Sequence, residues 1–181
     1  MWLVLVVNLF GPPGAGKSTG AAYVFAKLKM AGVNAELVTE FAKDKVWEES
    51  KGAFENQAYI FGEQYFRISR LNGKVDVVVT DSPILLSGFY NSDDVIDAEL
   101  DAIVGKAFDT YKNFNVYVER TKPYNPVGRL HSEAESDEID VRLTEFLIKH
   151  GVTCRYYSGT QEGYDVLVSD ILKELGENSN D

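Results

Sequence analysis

Between Gly11 and Thr19 the chain runs GPPGAGKST, and the spacing of Gly11, Gly16, Lys17 and Ser18 is G-x-x-x-x-G-K-[ST]. Glycines at such positions let successive backbone N–H groups turn inward onto a chain of phosphates. A helix beginning at Ser18 would add the positive end of its dipole, and Lys17 a point charge near the β and γ phosphates. The Ser18 hydroxyl suits Mg2+, a hard cation that takes oxygen ligands. Gly11, Pro12, Pro13, Gly14, Ala15, Gly16, Lys17, Ser18 and Thr19 are therefore expected to hold ATP with Mg2+. Such a cradle serves enzymes, switches and motors alike, so the reaction must be sought further along the chain.

In VDVVVTDSP, Asp81 closes an apolar run and is expected at the carboxyl end of a buried strand, where ligands of open α/β sheets bind. A carboxylate there can hold Mg2+ or accept the proton of an attacking hydroxyl, and both roles stay open for Asp81. The segment ERTKPYNPVGRLHSEAESDEID brings Arg120, Lys122 and Arg129 together with prolines and a glycine. A segment of that kind can close over a nucleotide and carry guanidinium groups to the transferring phosphoryl. Glu40 in VTEFAKD, with Gln57, Gln64 and Arg67 further on, are candidates for contacting the acceptor. His131 and His150 have no partner at metal-ligand spacing and receive no role.

These residues need elements to position them. Valine-rich runs at 3–10 and 75–80 predict strands buried on both faces, and shorter ones are expected at 36–39, 115–118 and 153–157. Helical periods fall between them. One helix spans 18–30; Phe54, Ala58, Phe61, Tyr65, Ile68 and Leu71 mark a second, and Tyr59 and Phe66 are expected mostly in the core. Ile96, Leu100, Ile103, Ala107 and Tyr111 mark a third. Ser132 and Glu135 form a capping box ahead of a fourth, which Gly151 ends, and the last covers about 164–175. Alternating strands and helices predict a three-layer α/β fold on a parallel five-stranded sheet.

At 181 residues the chain suits one domain, taken as 1–176 with a lid at about 120–136 and a disordered tail at 177–181. The net charge of −10 opposes nucleic acid except at a local basic face, for which Lys43, Lys45, Lys51, Arg67, Arg70 and Lys74 are available. The single cysteine, Cys154, leaves no intramolecular disulfide and suits a reducing compartment. MWLVLVVNLF lacks a positive start and stops at Gly11, so a buried strand is expected there rather than a targeting or membrane segment. The location expected is cytoplasmic, and a homodimer is one assembly the chain allows.

Taken together, VNLFGPPGAGKS, ELVTEFAKD, VDVVVTDSPILLS and RTKPYNPVGR resemble bacteriophage P-loop kinases related to thymidylate kinase, including 5-hydroxymethyluracil DNA kinases. The resemblance covers about residues 3–142. It implies a fold of the nucleoside monophosphate kinase type, ATP and Mg2+, and a closing lid. On it, Lys17 and Ser18 match the phosphate and metal positions, Asp81 the acidic residue after the third strand, and Arg129 falls in the lid. Thymidylate kinases carry D-R-Y or a close variant where this chain has Asp81, Ser82 and Pro83. Without that arginine, the hydroxyl of 5-hydroxymethyluracil in DNA is the acceptor the resemblance favours. A free deoxynucleoside monophosphate is the alternative, and an ATPase or switch module a third function.

Overall fold

The structure, a computed structural model, describes residues 3–50, 52, 56–92, 95–121, 123–125 and 132–177. Leu5–Phe10 (β1) is buried along its whole length, as a strand between two helical layers must be. It is flanked by Val77–Thr80 (β3) and Lys112–Glu119 (β4), with Ala35–Val38 (β2) beyond β3 and Arg155–Ser158 (β5) beyond β4. All pairings are parallel. The α/β, five-stranded parallel sheet is the one anticipated, with order β2-β3-β1-β4-β5 among the described residues.

Alternation along β1 divides the core. Leu5, Val7 and Leu9 pack against Lys17–Met30 (α1) and Gln161–Glu177 (α7) through Val24, Leu28, Leu167 and Ile171. Val4, Val6 and Phe10 face the other layer. That layer comprises Gln57–Ser69 (α3), Leu86–Phe89 (α4), Asp97–Phe108 (α5) and Glu133–Lys149 (α6). Each fully buried Val or Leu contributes about 1.5–3 kcal/mol, so the two faces of one strand organise much of the stability. A further helix, Phe41–Trp47 (α2), follows β2 directly and was absent from the sequence reading.

Several boundaries differ from expectation. β4 starts at Lys112 rather than 115, because Asn113 and Asn115 are polar residues inside the sheet. Their side-chain oxygens accept from Nδ2 of buried Asn8 at 2.9 and 3.1 Å, which removes the cost of placing amides there. On α5 the buried residues are Leu100, Val104 and Phe108, while Ile103 is 57% exposed, so the apolar face is rotated from the predicted one. Tyr59 and Phe66 on α3 are exposed rather than core. The capping box is present: Ser132 Oγ accepts from Glu135 N and the Glu135 carboxylate from Ser132 N. Among the described residues no helix is long and apolar enough to cross a membrane. Of the expected tail, Glu177 ends α7 and 178–181 lie outside the described residues.

Candidate active site

The loop from β1 to α1 owes its path to its glycines. Gly11 has φ of 137°, and a Cβ there would stand 2.5 Å from the Val118 carbonyl oxygen, so β4 itself excludes any side chain. Gly16, the residue before α1, is left-handed with φ of 103°. Its carbonyl accepts from the Tyr164 hydroxyl at 3.0 Å, and that phenol would be 2.6 Å from an added Cβ. Thus α7 braces the loop from behind. No acidic residue occupies the first turn of α1, so the positive dipole end at Lys17, Ser18 and Thr19 is uncompensated by its own helix. Ser18 and Thr19 are exposed; Gly11, Pro12 and Ala15 are buried, with Pro13 and Gly14 between. The Lys17 ammonium donates to the Gly11 and Pro12 carbonyls at 2.7 and 3.0 Å, lying across the loop mouth.

The loop's other flank meets the start of the anticipated lid. Arg120 leaves β4 and donates through Nη1 to Ser136 Oγ at 3.0 Å, while Nη2 pairs with Asp137. Ser136, fully buried at the start of α6, donates in turn to the Pro13 carbonyl at 2.7 Å. The Tyr124 ring lies against Gly14 and beneath the Arg120 guanidinium. Arg120 is therefore fixed beside the cradle. Arg129 and Lys122, like the rest of the middle of the expected lid at 126–131, lie outside the described residues.

Two carboxylates meet Lys17 and Ser18 at the same end of the sheet. Asp81, buried just beyond β3, accepts from Glu40 N at 3.1 Å, and Glu40 is the residue that starts α2. Ser18, Glu40 and Asp81 line one cavity of about 300 Å³. Burial first, and the Asp81 charge second, raise Glu40 above its ordinary pKa of 4.5, with Lys17 and Lys43 opposing. Tyr90 is pushed up to about 12 by burial first and by the nearby Glu40 charge second.

The other acceptor-side candidates separate. Gln64 does not face open space: it is buried, its Oε1 accepts from Phe41 N at 3.0 Å, and its Nε2 donates to the Ser82 carbonyl at 3.0 Å. It ties the start of α2 to the end of β3 and so sets the distance between Glu40 and Asp81. Arg67 pairs with Asp44 at 2.9 Å and lies over the Phe41 ring, again holding α2. Gln57 is half-buried at the start of α3. Three participants were missed. Tyr164 and Ser136 brace the loop from distant helices, and Trp47, 74% exposed, lines the cavity from α2. The sequence carried no signal for these three; for Gln64, the i+4 spacing from buried Ile60 and to buried Ile68 marks the inner stripe.

Residues 6–162 match the family AAA_28, an AAA domain. No curated protein matches the chain. Among solved structures it resembles thymidylate kinase from Ehrlichia chaffeensis at 14% identity and a TM-score of 0.59, over 96% of this chain and 100% of that one. It also resembles the YorR protein from Bacillus subtilis, solved with phosphorylated GDP, at 15% identity and TM-score 0.60, over 97% and 98%. Deoxyadenosine kinase from M. mycoides, solved with dCMP and dCDP, is similar at 16% identity and TM-score 0.52, over 95% and 99%. At such identities the likeness establishes a fold of the nucleotide-kinase kind.

Proposed function

The chain belongs to the AAA domain family AAA_28, and from that premise we propose that it is an ATP-dependent kinase acting on a hydroxyl of a free nucleoside or deoxynucleotide. The observation that carries this is the convergence of Lys17, Ser18, Asp81 and Glu40 at the carboxyl end of the sheet, three of them around one cavity. The glycine-loop N–H groups and Lys17 hold the triphosphate. Mg2+ fits the pair formed by the Ser18 hydroxyl and the Asp81 carboxylate, since it takes one or two protein oxygens and completes its shell with phosphate and water. When bound, it would neutralise charge on the β and γ phosphates.

Glu40 is the proton acceptor in this reading. Its raised pKa makes it a better proton acceptor than an ordinary glutamate, and its backbone N–H holds Asp81 in place. The acceptor's O–H bond gives its proton to Glu40 as the oxygen bonds to the γ-phosphorus, and the bond from that phosphorus to ADP breaks. Arg120, fixed by Ser136 and Asp137, supplies positive charge at the loop's flank, and Arg129 keeps the lid role that the family resemblance implies.

Acceptance of 5-hydroxymethyluracil in DNA is less favoured, because two members of the expected basic face are already paired, Lys45 with Glu48 and Arg67 with Asp44. Labelled ATP offered with free deoxynucleosides and deoxynucleotides, or with DNA bearing the modified base, separates the readings. Label in small nucleotides supports this one; label in DNA supports the other acceptor; free phosphate alone points to an ATPase or switch. Asp81→Asn is expected to abolish transfer while ATP affinity stays within about tenfold, or about 1.4 kcal/mol.

A further inference from the structure

Trp47 closes α2 with 74% of its surface exposed, although it lines the same cavity as Ser18, Glu40 and Asp81. A large ring left in water contributes little to the core, yet this one stands on a helix that is firmly held. Phe41 is buried at the opposite end of α2, its N–H donates to Gln64, and Asp44 on the next turn pairs with Arg67. The rest of the cavity's apolar lining is aliphatic: Ala21 and Ala22 from α1 and Leu37 from β2. Lys43, one turn before Trp47, adds an exposed cation to the same lining.

We propose that this cavity receives the nucleobase of the phosphoryl acceptor, stacked on the Trp47 indole with Lys43 beside it. The inference rests on the kinase reading for its second substrate, and it adds which part of that substrate the chain grips and with which residue. The composition of the cavity supports it. Its volume of about 300 Å³ lies at the small end of ligand sites, and its lining combines one large aromatic ring with aliphatic side chains, surfaces that suit a planar ring. Stacking tolerates any base, so Trp47 would bring affinity and orientation rather than choice among bases. Glu40 and Asp81 line the same cavity, so a base held there keeps the acceptor beside both carboxylates.

The only other tryptophan is Trp2, so a Trp2→Phe protein reports on Trp47 alone. With a non-hydrolysable ATP analogue saturating the glycine loop, titration with deoxythymidine or deoxythymidine monophosphate is expected to quench Trp47 fluorescence saturably. Ribose 5-phosphate, which lacks a base, should not. A short oligodeoxythymidine tests whether the base can arrive in a single strand. In transfer assays, Trp47→Ala should raise the acceptor KM about tenfold or more with the ATP KM unchanged, and Trp47→Phe should restore most of the loss. Absence of quenching by any base-bearing probe would overturn the proposal. So would an acceptor KM unaltered in Trp47→Ala, or quenching caused by the ATP analogue alone. Quenching without transfer would instead reject the kinase reading and leave the base site standing.

Discussion

Glu40 carries opposing demands in one carboxyl group. Burial and the neighbouring Asp81 raise its pKa, which makes it a better proton acceptor and a poorer contributor to stability. A group whose folded pKa exceeds its unfolded value favours the fold below about 4.5 and loses that contribution as pH climbs through the folded value. Glu40→Gln is therefore expected to raise the midpoint of thermal unfolding at pH 8 and to change it little at pH 4, as followed by circular dichroism. The same variant should lower kcat by about 10²–10⁴ and remove the acid limb of the pH–rate profile. A variant equally stable at both pH values would show that the buried charge carries no penalty. Cys154 is the contrasting case: burial pushes its thiol up to about 12, and it has no charged partner in that shift.

At the scale of elements, the glycine loop is a junction of three helices. α1 begins there, α7 reaches it through Tyr164 and α6 through Ser136. Gly20 shows how tight the first contact is, since a Cβ on it would lie 2.5 Å from the Tyr164 ring. Inside most helices Gly→Ala gains about 0.5–1 kcal/mol. Here the ring must move, so Gly20→Ala is expected to destabilise by about 1–3 kcal/mol and to weaken ATP binding, because Tyr164 also bonds Gly16. Calorimetry on the variant checks both. Such junctions also explain what the sequence disclosed. The glycine loop, β1 and β3 are local patterns and were legible as such. α2 escaped because seven residues are too few to display a helical period, and β4 was shortened because its asparagines find their partner only once Asn8 lies beside them. The exposure of Ile103, Tyr59 and Phe66 depends on how α5 and α3 are rotated on the sheet, which periodicity alone does not fix.

Over the whole molecule, β1 would couple a nucleotide bound as proposed to everything else, since it leads into the loop and joins both hydrophobic layers. Ligand binding should therefore stabilise the molecule as a unit. A non-hydrolysable ATP analogue with Mg2+ at 100 times its Kd should add about 2.7 kcal/mol. For a chain of this size that amounts to about 5–11 °C in Tm, and the shift should vanish in Lys17→Ala. The strand order has a further effect on how the protein is made. β1 leaves the ribosome before its hydrogen-bonding neighbours, residues 77–80 and 112–119. Until β4 has been synthesised, one edge of this buried and largely apolar strand has no native partner, so the nascent chain passes through an interval in which that edge is open to non-native pairing.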